Sequence, residues 1–273
     1  MNYYLFNPLI YGWPYVCRLL GAISSDTVNI RLRFRGVPRT SPFKLVYENP
    51  DAVGVASYSG DSWRVFKSLV KESRSGYPIG EFRGRIVIVH VRNRLQGELN
   101  EENIQPLKYG EWIFAHHGLV DRVNLVKMLR NRYLSEAKGR CGSKALFCLI
   151  LQEIEDKGDF IEGLRSAIDM INRIRVGYTS LNFIASNGRC MYALRYSRVK
   201  TSYYIIYYMD EPGGIEVNRV SEATSMEVFL KSRGRTIAVA SESVGGWLKW
   251  PPLPNKHLIK VDENLNLEVI RLS

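Results

Sequence analysis

Ala145-Leu146-Phe147-Cys148-Leu149-Ile150-Leu151 opens the one part of the chain whose apolar residues recur at helical spacing. Leu146, Leu149, Ile150 and Ile154 fall on one helix face, and after Gly158 the residues Phe160, Leu164, Ile168 and Ile171 do the same. Two amphipathic helices are expected here. On both sides the period drops to two. Upstream, strands are expected from Val16 to Ile23, Asp51 to Tyr58, Arg85 to Val91 and Glu111 to His116. Downstream they run from Leu181 to Ala185, Arg189 to Arg195, Tyr203 to Tyr208, Thr236 to Ala240 and Leu258 to Val261, with Leu267 to Arg271 closing a hairpin. Strands, a helical pair and strands again do not alternate as βαβ units do. The pattern disfavours a doubly wound parallel sheet and favours antiparallel sheets with helices packed outside, an α+β fold.

The chain has 273 residues, 45% of them hydrophobic, enough for one large domain with a continuous core. Its apolar runs fall well short of the roughly 20 residues that cross a bilayer as a helix. The first sixteen residues lack the basic start, apolar middle and cleavage site of a secretory signal. A soluble, cytoplasmic protein is expected, without a membrane partner.

Cys17, Cys141, Cys148 and Cys190 form no CxxC pair, and His90, His116, His117 and His257 show no metal spacing; adjacent strand side chains point to opposite faces. No metal site is expected. The net charge of +11 leaves a polyanion partner open. Yet Arg31, Arg33 and Arg35, or Lys127, Arg130 and Arg132, come without any nucleic-acid-binding motif, so a basic solvated surface is expected and no specific nucleic acid.

Val16-Cys17-Arg18-Leu19-Leu20-Gly21 resembles the start of the class II glutamine amidotransferases, above all small stand-alone members that begin Met-Cys-Arg-Leu-Leu-Gly. His90-Val91-Arg92, Phe114-Ala115-His116-His117-Gly118 and Asn182-Phe183-Ile184-Ala185-Ser186-Asn187-Gly188 follow in the family's order. Val239-Ala240-Ser241-Glu242 then precedes a turn containing Trp247. The resemblance covers roughly residues 16 to 272 and implies an Ntn-hydrolase four-layer αββα sandwich of two antiparallel sheets. It implies a C-N hydrolase or transferase without a cofactor, in which an N-terminal cysteine attacks the side-chain amide of glutamine, passes through a thioester and releases ammonia.

That chemistry explains why the cysteine comes first. A free α-amino group, with a pKa of about 7.7 to 8.0, accepts the thiol proton near neutrality, whereas an amide nitrogen has no basic lone pair. Residues 1–16 are therefore read as an N-terminal extension, and 17–273 as the amidotransferase-like domain. The extension has three explanations: a self-cleaved propeptide, a retained segment on an inactive protein, or a start assigned too early. The last is favoured, because Val16 is what a GUG initiator would be written as.

The resemblance gives Cys17 the role of nucleophile, Arg92 that of binding the substrate α-carboxylate through a planar guanidinium, and His117 and Gly118 that of the oxyanion hole. His117 stands where the family has asparagine; a neutral imidazole donates one hydrogen bond, with a different reach. Cys141-Gly142-Ser143-Lys144 replaces a Thr-Asp-Ser-Glu-like string, so the carboxylate that would hold the substrate ammonium is absent and Lys144 adds a cation. Asn49 to Gly54 and Gln105 also depart from the family's residues.

Two functions follow: an amidohydrolase acting on glutamine or a γ-glutamyl compound, its ammonia consumed by an acceptor partner protein or released, or a catalytically inactive descendant that binds a partner or metabolite.

Overall fold

The computed structural model describes residues 17–34, 50–70, 77–92, 100–199, 204–220, 226–242 and 250–272. In chain order its strands are β1 (Arg18–Phe34), β2 (Ala52–Tyr58), β3 (Trp63–Leu69), β4 (Tyr77–Arg92), β5 (Leu107–Tyr109), β6 (Trp112–His117) and, after the helices, β7 (Asn182–Ser186) and β8 (Met191–Arg195). There follow β9 (Tyr207–Glu211), β10 (Ile215–Val220), β11 (Met226–Ser232), β12 (Thr236–Ala240), β13 (His257–Val261) and β14 (Leu267–Arg271). The helices are α1 (Arg122–Val126), α2 (Asn131–Glu136), α3 (Gly142–Lys157) and α4 (Phe160–Arg173).

The described strands form two antiparallel sheets. One runs β10-β11-β1-β4-β2-β3, with β12 also paired to β1 and β9 to β12; the other runs β14-β13-β8-β7-β6-β5. The first half of β1 pairs with β12 and the second half with β11, on either side of a register break between Ile23 and Val28. Alternation sorts the side chains. Leu19 and Ile23 of β1, Ile86 and Ile88 of β4, Ala115 of β6, Ile184 of β7 and Ile259 of β13 make a buried core between the sheets. A Cβ at Gly21 would lie 3.0 Å from Ile184 Cγ2, so glycine lets the two sheets come this close.

The opposite face of the six-stranded sheet carries Phe114, Phe183, Ala185 and Leu194 and is covered by the helices. Leu146, Leu149 and Ile150 of α3 and Leu164, Ile168 and Ile171 of α4 are buried there, on the faces the sequence period assigns them. Gly158 ends α3 in the left-handed conformation (φ 71°), and Asp159 caps α4 by accepting from the backbone N–H groups of Ile161 and Glu162. The α+β class and the paired antiparallel sheets are as expected. The described helices all lie on this one side, and no second helical layer is found among the described residues.

Several elements differ from the sequence reading. The strands expected at 16–23 and 85–91 are longer, as β1 and β4, because their pairing resumes after the irregularity at Ile23 and runs on to Phe34 and Tyr77, burying Val28, Ile30, Leu32 and Phe34 in a second apolar cluster. Strands β3, β5, β10 and β11 and helices α1 and α2 were not legible, being short, or polar on one face. The strand expected from Tyr203 to Tyr208 begins instead at Tyr207, and Tyr204 lies in the preceding turn. No described helix is long and apolar enough to cross a membrane.

Candidate active site

The site forms where strands of both sheets end together. β1 and β4 pair Leu19 with His90 and Arg18 with Val91, which sets Cys17 beside Arg92 one step further out. Leu19 and Ile88 point between the sheets, so by alternation Cys17, His90 and Arg92 face the same gap. Cys17 is half-buried and Arg92 is 9% exposed. Beside His90 lies Gly54 of β2, where a Cβ would fall 2.1 Å from the Gln105 carbonyl oxygen. Only glycine lets the Gln105–Pro106 segment lie against the sheet there.

From the facing sheet, β6 ends at His117 and leads into Gly118. A Cβ on Gly118 would lie 2.1 Å from the Ser180 carbonyl oxygen, so glycine is required by that close approach. Arg92 thus comes from the strand next to β1, and Gly118 from the end of β6 in the opposing sheet. Tyr204 joins the two sides. Its ring packs 5.1 Å from that of His117, and its phenol is pushed up by burial, pulled back by the Thr179 hydroxyl and raised again by the Cys17 thiol it faces.

Two adjacent histidines have opposite surroundings. His116 points to the helical layer, where Nε2 lies 3.1 Å from the Ser180 carbonyl oxygen and Nδ1 2.9 Å from Ser143 Oγ. A carbonyl only accepts, so Nε2 carries the hydrogen, and Nδ1 accepts from the serine. Gln105 completes the tie: its Oε1 accepts from the His116 backbone N–H at 2.6 Å and its Nε2 donates to Ser143 Oγ at 3.3 Å. His117 points between the sheets, is 2% exposed, and neither ring nitrogen has a hydrogen-bond partner among the described residues. Leaving a buried polar atom unmet costs about 1–3 kcal/mol.

All three inner histidines are held neutral. Burial pulls His90 down to about 3, helped by Arg92 and His116, and pulls His116 down to about 4 against its bond to Ser180. Burial, then Arg18, His116 and His90, keep His117 well below the ordinary range. Such an imidazole is a poor proton acceptor but keeps one N–H to donate, the requirement for stabilising an anionic oxygen.

The start of α3 supplies the next wall. A Cβ on Gly142 would lie 2.8 Å from the Val120 carbonyl oxygen, so a larger residue there requires the Val120 backbone to move. Lys144, expected to add a cation at this wall, is paired with Glu136 at 3.0 Å. Lys67, inward-facing on β3, is pulled down by burial and by Lys144 and pushed up by Glu101. Sequence reasoning missed Tyr204 and Thr179: both lie outside regular strands, where no periodicity marks a side chain as inward. Val16, Asn49 and Trp247 lie outside the described residues.

Two antiparallel sheets stacked face to face, with a cysteine at the open end of a central strand, place this protein in the Ntn-hydrolase class of folds. The sequence pattern of the class-II glutamine amidotransferases matches residues 16–212, and the chain belongs to that family. It is 28% identical over 227 residues to a Haemophilus influenzae protein named as a candidate glutamine amidotransferase, covering 76% of this chain and 74% of that one. A predicted glutamine amidotransferase of Pseudomonas aeruginosa superposes with a TM-score of 0.69 at 19% identity, over 93% of this chain and 99% of its own. The glutamine phosphoribosylpyrophosphate amidotransferase of Bacillus subtilis shares the fold at a TM-score of 0.53 and 12% identity; 94% of this chain matches 49% of that enzyme.

Proposed function

We propose that the protein is an amidohydrolase in which Cys17, once its own α-amino group is free, attacks the side-chain amide of glutamine or of a γ-glutamyl compound. The register that puts Cys17 beside Arg92 carries this reading, since it sets a nucleophile next to a guanidinium suited to a substrate carboxylate. The amine takes the thiol proton, sulfur adds to the amide carbon, and the oxyanion receives N–H groups from His117 and Gly118. Ammonia leaves with a proton returned to it, and water cleaves the thioester to the carboxylic acid and the free thiol. The ammonia passes to an acceptor on another protein or is released.

Free glutamine is a poor substrate in this reading, because Gly142 offers no carboxylate to its ammonium and has no room for one beside Val120. A γ-glutamyl compound with a blocked α-nitrogen avoids that deficit.

The test compares protein beginning at Cys17 with protein that retains residues 1–16. Each is treated with a glutamine-mimicking electrophile, and covalent labelling is read by intact mass. The shorter form should react at least about a hundredfold faster. Equal labelling would show that the amine is not the base; no labelling of either form would favour the non-catalytic reading, in which the pocket only binds a metabolite or partner.

A further inference from the structure

His117, Asn182 and Tyr204 form a closed unit that the family's chemistry does not assign. His117 and Asn182 are cross-strand partners of β6 and β7. The Asn182 side chain donates from Nδ2 to the Tyr204 backbone carbonyl at 2.9 Å, and its Oδ1 accepts from the Tyr196 backbone N–H at 2.8 Å. Asn182 is fully buried, so both bonds persist without competition from water. They fix the backbone of Tyr204, which has no strand of its own at that point, opposite the end of β6. The Tyr204 ring, 7% exposed, then lies against the His117 ring at a centroid distance of 5.1 Å and an interplanar angle of 50°.

That contact matters because no hydrogen bond from a described residue holds the imidazole. His116 next door is fixed by a hydrogen bond at each nitrogen, whereas both nitrogens of His117 are without a partner among the described residues. An imidazole without hydrogen bonds keeps its orientation only through packing, and a donor aimed at a developing oxyanion must be oriented before the reaction. We infer that Tyr204 is a positioning residue: its ring, bolted in place by Asn182, holds the His117 imidazole at the Cys17 end of the pocket so that its N–H meets the oxyanion.

This inference rests on the proposed amidohydrolase reading, and its test separates the two. Tyr204→Ala, Tyr204→Phe, His117→Asn and the His117→Asn, Tyr204→Ala double variant are made in protein beginning at Cys17. Steady-state hydrolysis of a γ-glutamyl amide and Cys17 labelling are measured alongside the titration of the His117 ring by NMR. Tyr204→Ala should lower kcat about tenfold or more with KM within about twofold, and Tyr204→Phe should recover most of that loss. In the His117→Asn background the added Tyr204→Ala change should cost less than about twofold.

In the NMR titration, wild-type His117 should stay neutral well below pH 6.5, and in Tyr204→Ala its titration should move up toward the ordinary range as packing is lost. Equal kcat losses in both backgrounds, or a Tyr204→Ala ring that titrates as in wild type, would overturn the role. The titration reads out even if no form is labelled, so a failure of the amidohydrolase reading is seen separately.

Discussion

The two faces of β6 teach opposite lessons about buried polar groups. On the helical face, His116 is tied at both ring nitrogens and through Gln105 to α3, and around it Phe114 and Phe147 stack at 4.8 Å. Both ring nitrogens of His116 are thereby given a structural use. On the inter-sheet face, one residue along, His117 is as deeply buried and lacks hydrogen-bond partners among the described residues, beside a half-buried cysteine. Buried polar groups without partners are rare and call for an explanation. The helical face is tied for stability; on the proposed function, the end of the inter-sheet face is left short of partners so that a ligand can supply them.

The comparison breaks first, and by the largest margin, on packing. Phe147→Ala empties a stacked position of the helical core and should lower unfolding free energy by about 3–5 kcal/mol in a denaturant titration. Labelling of Cys17 per folded molecule should stay unchanged, since the helical face does not touch the thiol. A parallel loss of labelling would mean that the two faces are not separable.

The sharper test exchanges the neighbours. His116→Phe strands the Ser180 carbonyl and the Ser143 hydroxyl and should cost about 1–3 kcal/mol. His117→Phe removes two unmet polar atoms and should leave stability within about 1 kcal/mol, or raise it, while hydrolysis falls by on the order of a hundredfold. If both variants are equally destabilised, His117 has structural partners and is not reserved for a ligand.

The last test is in pH. His90 and His116 have pKa values of about 3 and about 4 in the fold, against 6.5 ordinarily, so the unfolded chain binds more protons in between. Their stabilisation is complete above pH 6.5 and is lost as pH falls toward 4, with a slope of up to about 1.4 kcal/mol per pH unit for each ring. His117 is depressed in the same direction, so His117→Phe should flatten the slope measured by chemical denaturation from pH 7 down to about 4.5. An unchanged slope would mean that His117 is not held neutral.

Much of this was legible in the chain. Gly158 and Asp159 separate two helical periods, and the structure ends α3 and caps α4 at those residues. Thr236–Ala240 and Leu267–Arg271 are strands to the residue, because their apolar and β-branched pattern needs no distant partner to be read. Cys17, Arg92, His117 and Gly118 stood out through motif resemblance, with the sequence order of the family behind them.

What the sequence determined is what nearest neighbours and periodicity carry: the helical middle, most of the strands, and the residues with the chemistry. Tertiary structure decided the rest, because that information lies in groups far apart in sequence. The charge of Lys144 is answered by Glu136 across a helix junction, and Gly142 is closed by the Val120 carbonyl rather than open to a substrate ammonium. Tyr204 reaches His117 only because Asn182, their shared partner, brings a turn 22 residues away against the end of β6. No local pattern records such a meeting, since its stability comes from burial and hydrogen bonds that exist only once both sheets are stacked.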